Sequence, residues 1–539
     1  MAKNIILCSD GTGNSGGKGN GTNVWRIHTS TDLIGFKERK HPTEQVTFYD
    51  DGVGTEQWKL LKVLGGGSGL GLSRNVRQLY ADLVQNFEPG DHIFLFGFSR
   101  GAFTVRTLGG MITTCGILDK NRFKDDEELR RCIKHLFRAY RRSYAAMLTQ
   151  PWYKLESMLG IHRKTVDYFQ QEYGVMLLPE HYAEYENIDP SFRDIKGIVP
   201  IKFVGVWDTV DAVGLPIDEI ANFWNKYIYQ FKFPSHVLSP WVNKACHALA
   251  IDDERRSFHP LLFDEREEKG FNRIEQVWFP GVHSNVDGGS PKQGLAHVPL
   301  NWMIARAEEQ GMVFTEDAKK TFKSTANENA KLYDSRSGVG VFYRYAPRDI
   351  AQMCQDNGLK SVNIHIAAFK RIALRSENYA PGQVPAFEPA VDDEANIGES
   401  PDDQQKLKQM VTQGLTEFAA EYDQSGLVSK RKILHRWFSI ATLVLLGVGA
   451  MLGGDGAAAQ PPGGVGLVLM KTLQFITSMI PFGNSIFETF LRPLFQFPLL
   501  GFVVFMIPVL LYLVDFFLKR ELGRRYQEVW RKTIKGPWW

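Results

Sequence analysis

Residues 92–108 read HIFLFGFSRGAFTVRTL. The apolar run 93–98 has the length of a buried strand and leads directly into Gly97-Phe98-Ser99-Arg100-Gly101. The stretch that follows has helical character. A strand, a sharp turn carrying a serine and a helix in direct succession hold that serine in a strained backbone. Glycines two positions either side, Gly97 and Gly101, then avoid clashes with the neighbouring strand and helix. The N-terminus of the helix is also a place where developing negative charge is stabilised.

With 50 glycines in 539 residues, the bare G-x-S-x-G pattern is weak, and the chain holds a second match, Gly13-Asn14-Ser15-Gly16-Gly17. That match runs on into Gly17-Lys18-Gly19-Asn20-Gly21, which does not start a helix and reads as a flexible loop. Context therefore selects Ser99 over Ser15.

A chain of 539 residues is too long for one ordinary core. Its net charge of +3 gives no reason to expect a nucleic-acid partner. The five cysteines, Cys8, Cys115, Cys132, Cys246 and Cys354, are scattered without CxxC or zinc spacing. Neither a metal site nor a disulfide framework is expected, and free thiols fit a reducing compartment. The start, MAKNIILCSDG, is too short an apolar run for a signal peptide and reads as a first strand. The glycine run 65–71 lacks the GK[ST] ending of a phosphate loop and reads as a mobile loop, so no cofactor is expected.

Residues 1–300 alternate strand-like and helical stretches, as a parallel sheet does. Strands are expected at 4–8, 45–49, 93–98, 201–206 and 276–279. Each ends in a polar or glycine-rich turn, and those turns should converge on one rim, where ligands bind in such sheets. The charged, aromatic stretch 120–195 reads as a helical insertion. Residues 301–429 read as a mostly helical extension, with the acidic stretch 388–403 as a loop or linker.

Residues 430–539 differ. The stretches 437–453 and 497–514 carry no charge, and the second stays apolar past Asp515 to Leu518. Both approach the length of a bilayer crossing. Basic residues precede the first (Lys430, Arg431, Lys432, Arg436) and follow the second (Lys519, Arg520, Arg524, Arg525, Arg531, Lys532, Lys535). The expectation is an α-helical transmembrane hairpin with spans at 437–453 and 497–518. It would make a multi-pass protein of the inner or plasma membrane, with the catalytic region facing the cytoplasm. The segment 465–482 between them would be re-entrant or interfacial.

A serine hydroxyl becomes nucleophilic when a histidine takes its proton and a carboxylate holds that histidine in place. After an elbow of this kind the expected order is serine, acid, histidine. Asp208, in Val206-Trp207-Asp208-Thr209, closes an apolar strand, and His283, in Phe279-Pro280-Gly281-Val282-His283, lies one loop beyond another. Asp211, Asp252 and Asp253 compete for the acid's role, and His247, His259 and His297 for the base's. Order and strand-end placement favour Asp208 and His283. The oxyanion donors expected are the amide of Arg100 and, from the Asp10-Gly11-Thr12-Gly13 turn, that of Gly11 or Thr12.

Six motifs occur in order: CSDGTGNS; YDDGVGT; GDH leading into GFSRGAFTVRTLGGMI; VGVWDTV; ALAIDDERR; and VWFPGVHSNVDGG. Together, over about residues 1–300, they resemble the α/β-hydrolase family typified by type VI secretion phospholipase effectors. The resemblance implies an α/β-hydrolase fold and hydrolysis of phospholipid or related acyl esters, with Ser99 as nucleophile, Asp208 as acid and His283 as base. In the last motif Asp287 stands where a glycine-rich HSDVGGG-like run is expected.

The reading is a membrane-anchored serine hydrolase whose partners are a phospholipid membrane and a lipid acyl-ester substrate. It leaves room for an inhibitor protein, since a phospholipase facing its own membrane needs restraint, and for a homo-oligomer. Two alternatives stay open. One is an esterase or thioesterase acting on a smaller or protein-linked acyl group. The other is a membrane-permeabilising effector whose hydrolase domain is regulatory.

Overall fold

The computed structural model describes residues 2–14, 16, 19–52, 68–142, 165–175, 177, 185, 199–211, 237–268, 272–382, 384–391, 401–453, 471, 474, 487–492 and 498–536. Ser15, the rival serine, lies outside them, as do most of 465–482 and much of the 120–195 insertion. Of that insertion, the helices Asp126–Arg142 and Val166–Tyr173 are described.

The chain divides into two units. The first (Met1–Gly338, Pro347–Glu417 and Trp530–Trp539) is built on one sheet. Its strands are β1 (Lys3–Ser9), β2 (Glu44–Asp50), β3 (His92–Phe98), β4 (Ile201–Trp207), β5 (Val242–Ala250), β6 (Ile274–Phe279), β7 (Asn363–His365) and β8 (Glu388–Ala390). They run in the order β2-β1-β3-β4-β5-β6-β7-β8, and every pairing is parallel. All five strands expected from sequence are present.

Successive side chains of a strand point to opposite faces, and here both faces are covered. On β3, Ile93 and Leu95 pack with Val76, Leu79, Leu108 and Met111 on one side. Phe94, Phe96 and Phe98 pack with Val24, Ile27, Trp302 and Met303 on the other. This double burial is why β3 reads as a continuous apolar run rather than an alternating one. Each fully buried large apolar side chain contributes about 1.5–3 kcal/mol.

The chain leaves β1 toward β2 on one side and later returns to β3 on the other. The helix Asn23–Ser30 after β1 contributes Val24 and Ile27 to one core, while the helix Arg100–Cys115 after β3 contributes Val105 and Leu108 to the opposite core. The helices after β1 and β3 therefore lie on opposite faces of the sheet, and such a reversal at the carboxyl ends of parallel strands is where doubly wound sheets bind their ligands.

Three expectations change. The sheet continues past residue 300 through β7 and β8, so Glu388–Ala390 is an edge strand rather than linker. Pro401 opens a helix, Pro401–Glu417, with Asp402 and Asp403 in its first turn, where proline's missing N–H costs nothing and carboxylates suit the helix dipole. The glycine run 65–71 is not all loop, because the helix Ser68–Asn86 begins inside it.

The second unit (Val339–Ala346 and Phe418–Val529) contains the helix Ser425–Gly453 and most of the helix Pro498–Thr533. The expected transmembrane hairpin finds no support: among the described residues, no helix is long and apolar enough to cross a membrane. Both apolar stretches are parts of longer helices that also carry charge. Lys430, Arg431, Lys432 and Arg436 lie inside the first helix, and Asp515, Lys519 and Arg520 inside the second. Arg431 is buried and bonds Asp515 at 2.9 Å, so one of the supposed flanking charges is an internal tie between the helices. The multi-pass placement that rested on the hairpin loses its support with it.

Candidate active site

Ser99 directly follows β3 and precedes the helix Arg100–Cys115, with φ 56° and ψ −120°. A positive φ on a residue with a Cβ is strained, and the surroundings hold it. The Ser99 N–H donates to the Trp207 carbonyl at 3.0 Å, and its own carbonyl accepts from Phe103. Gly97 and Gly101 answer to close packing. A Cβ on Gly97 would sit 2.6 Å from the Gly101 carbonyl oxygen, and one on Gly101 would run into the carbonyl oxygens of Ser9, the last residue of the adjoining β1, and of Asp10 just after it.

Asp208 directly follows β4, also at positive φ (39°), with its N–H bonded to Ala248 O at 2.8 Å. His283 opens the short helix His283–Asp287 beyond β6. These three residues, 184 and 75 positions apart in sequence, come together. His283 Nε2 lies 2.8 Å from Ser99 Oγ, and His283 Nδ1 lies 2.5 Å from Asp208 Oδ2. All three are buried.

Burial works against the charge on Asp208. The Arg348 guanidinium and the hydrogen bonds from His283 and Arg348 outweigh it, holding this carboxyl well below the usual carboxylate range. An ionised Asp208 only accepts, so Nδ1 of His283 carries the proton and donates. That leaves Nε2 to accept from the Ser99 hydroxyl. Burial lowers the basicity of His283, and the bond to Asp208 only partly offsets it. The imidazole ring sits between Phe98 (centroids 4.6 Å apart) and Phe258 (5.0 Å).

The competing residues serve elsewhere. His247 on β5 accepts the Thr209 N–H at 3.1 Å, and burial pulls its pKa down to about 3. His297 bonds Thr325 and is pulled down to about 4 by burial. Asp253 accepts the His283 N–H at 3.2 Å and is forked by Arg255, while Asp252 accepts the Gly281 N–H at 2.6 Å and the Tyr379 hydroxyl. These two acids brace the histidine loop. His259 closes the short helical turn Arg256–Phe258, its N–H donating to the Arg256 carbonyl at 3.2 Å.

Of the expected oxyanion donors, Arg100 is the first residue of its helix, where amides point out of the N-terminus. The Gly11 N–H donates to Asp10 Oδ1 at 2.6 Å. Thr12 remains, its hydroxyl buried without a hydrogen-bond partner. Asp287 is fully buried, and burial, then nearby Asp10, pushes its carboxyl well above the usual range. Among the described residues no cluster of three or more His, Cys, Asp or Glu side chains is arranged to hold a metal ion.

Sequence reasoning missed Arg348, which is fully buried and bonds both oxygens of Asp208. Nothing in a single arginine in an irregular stretch marks it out.

Fold and site together define an α/β protein whose candidate residues gather at the carboxyl ends of a parallel sheet. The chain belongs to the type VI secretion system Tle1-like phospholipase effector family, whose catalytic-domain model matches residues 3–306. Membership in a phospholipase family implies a hydrolase. The chain is 26% identical over 274 residues to an uncharacterized protein, YEL023C, of Saccharomyces cerevisiae. That match takes in 48% of this chain and 33% of the yeast protein, so the chain spans about a third of that relative's length. Among solved structures, an uncharacterized protein from Pseudomonas aeruginosa matches with TM-score 0.33 and 16% identity, covering 78% of this chain and 59% of that one. The Tle1 effector bound to the VgrG spike of the type 6 secretion system matches with TM-score 0.31 and 12% identity, covering 63% of this chain and 78% of that one.

Proposed function

We propose that the protein is a serine hydrolase cleaving acyl esters of phospholipids. Ser99 Oγ attacks the ester carbonyl while His283 Nε2 takes its proton. Asp208 holds the resulting imidazolium, and the amides of Arg100 and Thr12 receive the oxyanion. His283 returns the proton to the departing alcohol. Water, activated by His283 in turn, then releases the fatty acid from Ser99.

The observation that carries this reading is the continuous relay from Ser99 Oγ through His283 (2.8 Å) to Asp208 (2.5 Å), with the serine at positive φ. Family membership supports the phospholipid class of substrate. A lipid surface as partner is supported by the second unit, where Ile433, Trp437, Ile440 and Val444 stand exposed at helical spacing near basic Lys430, Lys432 and Arg436.

The test is release of fatty acid from phospholipid vesicles. Wild type releases it, and Ser99→Ala falls by about a thousandfold or more. Equal release by Ser99→Ala would sink the mechanism. Cleavage of soluble short-chain esters with vesicles left intact would favour the smaller-substrate reading.

A further inference from the structure

Arg348 has no exposed side-chain surface and lies 140 residues along the chain from Asp208. Its Nη1 and Nη2 donate to Oδ1 and Oδ2 of Asp208 at 2.7 Å each, a planar fork matched to a carboxylate. The same nitrogens donate to the carbonyls of Ala250 and Phe258. Four donors thus fill the carboxylate. Oδ2 takes His283 Nδ1 and Arg348 Nη2, while Oδ1 takes the Ala250 N–H and Arg348 Nη1. Arg348 stands beyond the residues 3–306 matched by the family model.

We propose that Arg348 is a positioning residue for the hydrolysis, fixing the plane of Asp208 and offsetting its charge so that His283 stays neutral and ready to receive the Ser99 proton. The inference rests on the triad reading above. A bare carboxylate beside an imidazole favours the protonated ring. A guanidinium locked on the far side of that carboxylate cancels part of the pull, while its rigid fork leaves the carboxylate one orientation toward Nδ1. The charged groups facing His283 are Asp208, Asp253 and Arg255, and those facing Arg348 are Asp208, Asp253 and Asp252. Substituting Arg348 leaves the others in place, so a change in the pH profile reports on its charge.

The experiment compares the full chain as wild type, Arg348→Lys, Arg348→Met and Ser99→Ala on phospholipid vesicles, measuring kcat and KM across about pH 5 to 9. Arg348→Met is expected to move the acid limb of kcat/KM upward by about one unit and to lower kcat about a hundredfold with little change in KM. Arg348→Lys keeps the charge and loses the fork, so kcat falls about tenfold while the limb stays. If both variants keep the wild-type kcat and limb and lose only thermal stability, the inference is overturned. Should Arg348→Met fail to fold, Arg348→Lys decides alone. A loss of kcat at unchanged KM and limb supports the inference, and wild-type kcat overturns it. Inactive Ser99→Ala beside unaffected Arg348 variants sinks this inference alone, whereas active Ser99→Ala sinks the triad reading itself.

Discussion

At the scale of single residues the site depends on close approach. Gly101 lets the turn after β3 lie against the carbonyls of Ser9 and Asp10, and no side chain fits there. Gly101→Ala is expected to cost about 3 kcal/mol, visible as a lowered denaturant midpoint, and to remove activity because Ser99 shifts with the turn. A wild-type midpoint would show that the turn tolerates a methyl group. The protonation of His283 sets the pH dependence. Burial makes this imidazole less basic than its ordinary value of 6.5, and only its neutral form accepts the Ser99 proton. kcat/KM should therefore rise with pH and reach half its plateau below pH 6.5, since the neutral fraction is regained at lower pH than for a free histidine. A midpoint above that value contradicts the assignment.

That Ser99, Asp208 and His283 come together was legible in sequence because each directly follows an apolar run or lies one short loop beyond it. The bond from the Gly11 amide to the side chain of the preceding Asp10 is a local contact that no spacing rule exposes. Arg348 was invisible because its partner is 140 residues away and nothing around it is patterned.

At the scale of elements, the apolar runs and the more mixed β2 were found, and β5, β7 and β8 were not. β5 reads VNKACHALA, with Asn243, Lys244 and His247 interrupting the apolar pattern, and so resembles a polar or alanine-rich helix. Its neighbours β4 and β6 supply the pairing that makes it a strand. β7 and β8 are three residues each, too short for any periodicity, and exist because β6 offers an open edge. The apolar C-terminal stretches lie in helices, as expected, but not as the two spans of a transmembrane hairpin. The tie between Arg431 and Asp515 depends on two helices 84 residues apart in sequence, which periodicity within either one cannot report.

At the scale of the molecule, the triad candidates follow β3, β4 and β6 and meet at the carboxyl ends of the parallel strands, and the chain returns through Arg348 to bond one of them. The chain passes from the second unit into the first between Ala346 and Pro347, next to the residue that holds Asp208. The central claim is that Ser99 is the nucleophile of a lipid ester hydrolase, and covalent trapping tests it most directly. A fluorophosphonate probe loses fluoride to an activated serine and leaves a phosphonyl group on its oxygen. Peptide mass spectrometry should then find the adduct on Ser99, with fatty-acid release from vesicles falling in step with labelling, and no adduct in Ser99→Ala. An adduct on another serine such as Ser15, with release persisting in Ser99→Ala, would contradict the account.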